Sequence, residues 1–156
     1  MTTASLIPDT IDKLVALATT ALGTTGAVVD GPGAADVSHR ELLLHVGTSD
    51  VDDDGYGATA ESDQEWAYLG HLERRAEFTV FCSVVAWNGS GNQKESRDKA
   101  TTALQAFTDT MTADPTLDGV VHAVTGIRGI NYSQIQDKEG AATKITFGIT
   151  IQAWLT

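Results

Sequence analysis

The sequence is short of cysteine, of basic residues and of long apolar runs, and each shortage excludes a class of protein. Cys82 is the only cysteine in 156 residues, so neither an intrachain disulfide nor a cysteine-rich metal cluster can form. Ten Lys and Arg stand against 21 Asp and Glu, giving a formal net charge of −11. This balance argues against nucleic acid as a tightly bound ligand, because phosphate contacts need a basic patch.

Membrane and secretion signals are also missing from the sequence. No apolar stretch approaches the roughly 20 residues that a membrane-spanning helix needs. The N-terminal MTTASLIPDT has neither the basic region nor the apolar core of a signal peptide. We therefore expect a soluble protein made in the cytoplasm, with no membrane partner.

Apolar residues are plentiful enough for a folded domain. They make up 42% of the chain, and 156 residues can bury a sizeable core. We expect a single domain over residues 1–156, with a flexible N-terminus at residues 1–6.

Helical spacing of apolar residues predicts two helices. The first begins near Pro8 and ends at Gly23, where a glycine favours termination. The second covers about residues 96–112 and ends before Asp114-Pro115.

Five further segments have the composition or alternation of strands. They are residues 27–30, 41–46, 77–87, 120–136 and 143–155, of which 41–46 could also form a short helix. The last two are expected to form a long hairpin with bends at Gly126 and Gly129. The predicted fold class is α+β, an antiparallel or mixed sheet flanked by two helices, in the order α-β-β-(long loop)-β-α-β-β.

The strand at 77–87 carries large apolar groups on both faces. Phe78, Val80 and Val84 point one way, whereas Phe81 and Trp87 point the other way. We expect such a strand to be covered on both sides, by helices or by a neighbouring subunit.

Residues 47–65 form a predicted acidic loop without Lys or Arg. Within it, DVDDDGYGATAE fits the spacing of an EF-hand calcium loop, with Asp50, Asp52, Asp54 and Glu61 as candidate ligands. However, Gly57 takes the position of the usual aliphatic residue, and a strand, not a helix, is predicted upstream. We interpret the segment as a solvated loop and keep weak calcium binding as a minor alternative.

Catalytic patterns are not found. The four His residues lack a metal-binding spacing, and His45 in an apolar strand is expected to be structural. Cys82 lies in mid-strand, where a buried inert thiol is expected. We therefore expect no enzyme activity, no cofactor and no dedicated metal site.

A few residues remain as candidates for contacts with a partner. Arg74 and Arg75 are the one local basic pair, and they either enter a strand in solvent or contact an acidic surface. Trp87 and Trp154 lie on the less apolar faces of their strands, where a Trp is either a second core layer or an interface anchor.

Several phrases of the sequence together resemble the tail terminator proteins of long-tailed, siphovirus-type bacteriophages, especially those of actinobacteria. They are IPDTIDKLVALATTALG, LLLHVGTSDVDDDG, RRAEFTVFCSVVAWNG, RDKATTALQAFTDTM and GIRGINYSQIQDKEGAATKITFGITIQAWL. The resemblance covers nearly the whole chain and follows the order of the family's elements. Related neck and tail-completion proteins share parts of it.

The resemblance implies a structural virion protein of the tail or neck. Such subunits form a hexameric ring that caps the head-proximal end of the tail tube, stops tube polymerisation and joins the tail to the head connector. The implied partners are other copies of the chain, the tail tube protein and the connector or neck proteins, while DNA passes through without specific binding.

The acidic loop has an expected place in such a ring. We hypothesise that residues 48–65, with Asp50, Asp52, Asp53, Asp54 and Glu61, line the lumen or dock onto a partner. An acidic lumen would repel the phosphates of passing DNA.

Overall fold

The protein is described by a computed structural model that covers residues 5–31, 41–48, 58–66, 73–138 and 140–155. Its elements, in chain order, are α1 (Ile7–Leu22), β1 (Ala27–Asp30), β2 (Leu42–Val46), β3 (Ala60–Trp66), β4 (Arg74–Asn88), α2 (Gln93–Ala113), β5 (Ala123–Asp137) and β6 (Gly140–Leu155). The expected α+β class is confirmed. No helix in these ranges combines the length and apolarity needed to cross a bilayer.

The six strands form one mixed sheet in the order β1-β2-β4-β6-β5. Only β1 and β2 run parallel; the other pairs are antiparallel. One edge of β4 pairs with two strands in succession: β3 along Arg74–Val80 and β2 along Cys82–Ala86. The opposite edge of β4 pairs with β6 along its whole length, so β4 and β6 form the spine of the sheet.

Both helices form where the sequence predicts them. α1 has Pro8 in its first turn, and Gly23 ends it with a positive φ of 56°. α2 begins three residues before the predicted start, because the side chain of Asn92 caps it by accepting a hydrogen bond from the Glu95 N–H at 3.3 Å. Sequence periodicity could not locate that start, since the capped first turn is polar.

The helices pack on one face of the sheet and enclose the core. Leu14 and Ala18 of α1 and Phe107 of α2 are fully buried. They share one apolar cluster with the inward-facing side chains of the two central strands, among them Val80, Val84, Ile145, Phe147, Ile149 and Ile151. Phe107 meets Phe147 edge-on, with ring centroids 6.5 Å apart.

The predicted hairpin between β5 and β6 is confirmed, including its irregularities. The register shifts between Val124 and Gly126 and again between Arg128 and Asn131. Gly129 has φ of 64°, a conformation that favours glycine. These bulges bend β5 where its two glycines lie.

The prediction of a single long loop over residues 47–65 is wrong at its C-terminal end. Ala60–Trp66 is a strand, β3, which pairs with the first half of β4. Acidic residues alternate with small or polar ones along it, and nearly all its side chains are exposed. A strand without an apolar face gives no hydrophobic signal, so composition alone pointed to a loop. Residues 1–4 and 49–57 lie outside the described part of the chain.

Candidate functional site

The face of the sheet opposite the helices, here called the open face, is the broadest candidate surface. On β4 it carries Phe81, Val85 and Trp87, which are half-buried, in contrast to the buried residues that alternate with them. Neither helix covers this face among the described residues, because the helices join the cluster of the other face. The expectation that β4 is covered on both sides therefore holds for one face within this chain.

One end of the open face gathers several aromatic and charged side chains. The Trp154 position pairs with Arg75 across β6 and β4, and its side chain is 47% exposed. Arg75 also donates to Glu65 of β3 in an ion pair of 3.2 Å. On the other face, the Arg74 guanidinium lies 5.3 Å from the centre of the Trp66 ring, a cation–π distance.

These contacts define what the two arginines do within the subunit. Arg74 donates to Gln64 at 3.1 Å and Arg75 contacts Glu65, so both hold β3 against β4. An ion pair this exposed contributes about 0–1 kcal/mol to stability. Substitution of Arg75 is therefore expected to leave the fold intact, which makes it a suitable probe of a contact with a partner.

Trp87 does not join this cluster. It lies on the same face as Trp154 but at the far end of β4, twelve positions from Arg75. At about 3.3 Å per residue the separation is roughly 40 Å. The two tryptophans thus mark opposite ends of the open face, and they cannot contribute to one small binding site.

A second candidate surface is the edge strand β5. Ile130, Tyr132 and Ile135 are exposed there, with Ile135 at 62%. Between β5 and α2 runs a groove of about 560 Å³ whose walls include Leu104, Met111, Val124, Ile127 and Ile130 and no charged residue. Tyr132 Oη lies 3.0 Å from Thr101 Oγ1 and links the two walls.

Of the calcium-loop candidates, only Glu61 falls within the described residues. It lies on β3 opposite Thr79 of β4, and its side chain is exposed on the open face. An EF-hand would require its last ligand to open a helix. Because Glu61 lies in a strand, the segment does not have the structure of an EF-hand. The other candidate residues, Asp50, Asp52, Asp53 and Asp54, lie outside the described residues.

The Cys82 thiol and the His45 ring have structural environments. Burial raises the pKa of the Cys82 thiol to about 12, which keeps it protonated and unreactive at neutral pH. The His45 Nδ1 lies 3.1 Å from the Gly31 carbonyl oxygen, so this ring bridges β2 and the end of β1. Within the described ranges no three His, Cys, Asp or Glu side chains come together as a metal site.

Sequence reasoning missed Trp66 and the exposed apolar residues of β5. Trp66 is 62% exposed and ends β3, most of which lies in the predicted loop over residues 47–65. The alternation of Glu61, Asp63 and Glu65 with neutral residues was the available signal for that strand. The exposed positions of β5 look like ordinary strand residues, and only the sheet order shows that they lie at an edge.

No protein-family model and no curated protein sequence matches this chain.

Proposed function

We propose that this chain is a structural virion protein without enzyme activity. In this proposal it is a tail terminator, which forms a ring at the head-proximal end of a long-tailed phage's tail tube. The ring stops tube polymerisation and joins the tail to the head connector.

The open face carries the proposal. Phe81, Val85 and Trp87 are large apolar side chains left half-buried on a sheet whose central strands β4 and β6 are covered by the helices on the other face. Apolar surface of this kind is typical of a subunit that completes its packing against a partner. Trp154, exposed at the far end of the same face, adds an anchor of the type that dominates many interfaces.

The sheet edges fit an assembly in a ring. A closed ring uses two different surfaces of each subunit, one for each neighbour. β3 and β5 lie at opposite edges of the sheet and differ in composition, the first acidic and the second nearly uncharged. The chain therefore offers two unlike surfaces on opposite sides.

Charge fits a channel for DNA. The net charge is −11, and one depression of the open face is lined by three acidic residues, Glu61, Asp63 and Glu77, against one basic residue, Arg128. A wall with such carboxylates would repel phosphates, so DNA could pass without being held. This supports the expectation that the protein binds no DNA sequence.

Tail assembly with and without the chain tests the proposal. Electron micrographs of tails assembled without it should show tubes of uncontrolled length, and addition of the purified protein should restore a defined length. The Arg75→Ala variant, expected to fold normally, should restore length less well if the end of the open face meets a partner. The Arg97→Ala variant, which changes an exposed Arg on α2, is the matched control.

The outcomes of this assay separate the related roles. Tails of normal length without the chain would refute a terminator. Tails of normal length that fail to join heads would assign the protein to the neck instead. Calorimetry addresses calcium: saturable micromolar binding that is lost in Asp50→Ala would revive a calcium-binding module.

A further inference from the structure

We propose that neighbouring copies of this chain join edge to edge, β5 of one copy pairing with β3 of the next. The inference deepens the proposed ring by naming its subunit contact. Its physical basis lies in the two edges themselves, and it is tested without any phage component.

Both edges have an unpaired side among the described residues. β3 pairs only with β4, and β5 pairs only with β6. Backbone N–H and C=O groups on the outer side of an edge strand can pair with another strand. In β5 the Val124 N–H already donates to the Pro115 carbonyl at 2.7 Å, and the Ile135 carbonyl accepts from Gln93 Nε2 at 2.9 Å, so the stretch between them is the part open to pairing. β5 extends over 15 residues and includes exposed Ile130, Tyr132 and Ile135, so a strand laid along it would also cover apolar side chains.

Strand directions favour this pair. β3 runs antiparallel to β4, β4 to β6 and β6 to β5, so β3 and β5 of one subunit point in opposite directions. A rotation about an axis along the strands keeps those directions. β3 of the next copy would therefore meet β5 antiparallel and continue the alternation of the sheet without a break.

Charged side chains on the open face favour the pairing of β5 with β3. Arg128 is the only charged residue in 123–136, and it makes no ion pair with any described residue. Its position pairs with Gly148 of β6, which places it on the open face. Glu61 and Asp63 occupy the same face on β3 and likewise form no ion pair in the described part of the chain.

The alternative pairings lack this match. Two β3 strands side by side would set the carboxylates of Glu61, Asp63 and Glu65 against the same three groups, and opposed like charges are destabilising. Two β5 strands side by side would leave Arg128 without an acidic partner from β3. Within one subunit Glu61, Asp63 and Arg128 border the same depression of the open face without forming an ion pair, whereas β5 against β3 sets these acids beside the arginine on adjacent strands.

The same register also places an exposed aromatic ring. If Asp63 faces Arg128, then Trp66, three positions along β3, lies at the bulge of β5 between Val124 and Gly126. Val124 and Thr125 line the apolar groove between β5 and α2. The Trp66 side chain, 62% exposed in the single chain, would lie on the helix side of the sheet at this groove.

Cysteine cross-linking tests the pairing directly. Opposed side chains on antiparallel strands have Cβ atoms about 4.5–5.5 Å apart, close enough for a disulfide with small shifts. The chain with both Asp63→Cys and Arg128→Cys should oxidise to a ladder of covalent oligomers. A mixture of the two single variants should stop at dimers, and each single variant alone should stay monomeric.

The controls make the cross-linking decisive. Native Cys82 is buried and does not compete. A chain with Asp109→Cys and Arg97→Cys on the exposed side of α2 should give no ladder. Dimers from Arg128→Cys alone would indicate a two-fold contact and overturn the proposal, as would an equal ladder from the α2 control or monomers throughout.

A charge exchange gives an independent readout by sedimentation of the proteins without engineered cysteines. Arg128→Asp and Asp63→Arg should each weaken self-association by at least about tenfold, and the double variant should recover most of that loss. Arg97→Asp, with the same change of charge, should leave self-association unchanged. If the double variant does not regain self-association, Asp63 and Arg128 do not face each other in the assembly.

Failure of the pairing and failure of the proposed function give different results. If rings form and control tail length but no ladder appears, the subunit contact is wrong and the terminator role stands. If the ladder appears but tails without the protein have normal length, the contact stands and the terminator role falls.

Discussion

The docking of α2 onto the sheet should depend on one buried pair of hydroxyls. Ser96 of α2 and Thr143 of β6 are both fully buried, and their side-chain oxygens lie 2.8 Å apart. Each hydroxyl also has a second partner. Ser96 Oγ donates to the Gln93 carbonyl at 3.0 Å, and the Gln134 side-chain amide donates to Thr143 Oγ1 at 3.3 Å.

These second partners fix the expected magnitudes. Because Ser96 Oγ gives its one proton to the Gln93 carbonyl, Thr143 is the donor in the shared hydrogen bond. Thr143→Val removes this bond but leaves Ser96 donating to Gln93, so it should cost the net value of one hydrogen bond, about 1 kcal/mol. Ser96→Ala leaves the buried Thr143 O–H without an acceptor and should cost more, about 1–3 kcal/mol, partly offset by the higher helix propensity of Ala.

The double variant should lose about 1 kcal/mol less than the sum of the single losses, since the shared bond can be lost only once. Equilibrium unfolding in urea of the four proteins measures this coupling energy. Thr125→Val and Thr150→Val form the matched control, because their hydroxyls lie 3.0 Å apart but Thr125 is exposed. Losses at Ser96 and Thr143 that add within about 0.3 kcal/mol would refute the reasoning.

Three further predictions concern stability. Cys82 has a pKa of about 12 in the folded chain and 9.0 as its ordinary value, so the folded state favours the neutral thiol. The contribution of the buried thiol to the free energy of unfolding should be complete below pH 9.0 and decline as the pH rises toward 12. A Cys82→Ala variant should lack this decline when the free energy of unfolding is measured against pH. Gly140→Ala should destabilise the fold by about 2–4 kcal/mol, because the added Cβ would lie 2.3 Å from the Asn88 carbonyl oxygen and Gly140 has a φ of 142°. The control Gly89→Ala adds a Cβ that meets nothing within 4 Å, so its thermal melting should be nearly unchanged. Phe107→Ala should cost about 3–5 kcal/mol by denaturant unfolding, and a loss under 1 kcal/mol would mean that the ring is not the centre of the core.

The helices and the longer strands could be predicted because their apolar residues recur with a clear period. α1 matches its prediction at both ends, and Gly126 and Gly129 bend β5 as expected. The sequence does not predict β3, because its residues have no apolar face. β3 forms because β4 offers an edge for pairing. β3 and the first half of β4 pair as consecutive antiparallel strands, so the pairing of the backbone, and not an apolar period, defines β3.

The candidate site could be predicted only in part, for the same reason. Alternation in β4 and β6 placed Trp87 and Trp154 on the less apolar faces, and the structure puts both on the open face. Their separation depends on the register between the strands, which the sequence does not state. Glu65 as the partner of Arg75, and Trp66 as the partner of Arg74, could not be predicted without β3.

The ladder between β4 and β6 has a consequence for how the chain folds. Its partners are 81 positions apart at the Arg74–Leu155 end and 53 apart at the Asn88–Ala141 end, with α2 and β5 between them in sequence. The β5–β6 hairpin closes locally from its Asp137–Gly140 pair and incurs little loop entropy. We expect the hairpin to form early and the insertion of β4 beside β6 to limit the folding rate, since long-range pairing slows folding. Until that step is complete, both β4 and the long edge of β6 are exposed to pairing with other chains.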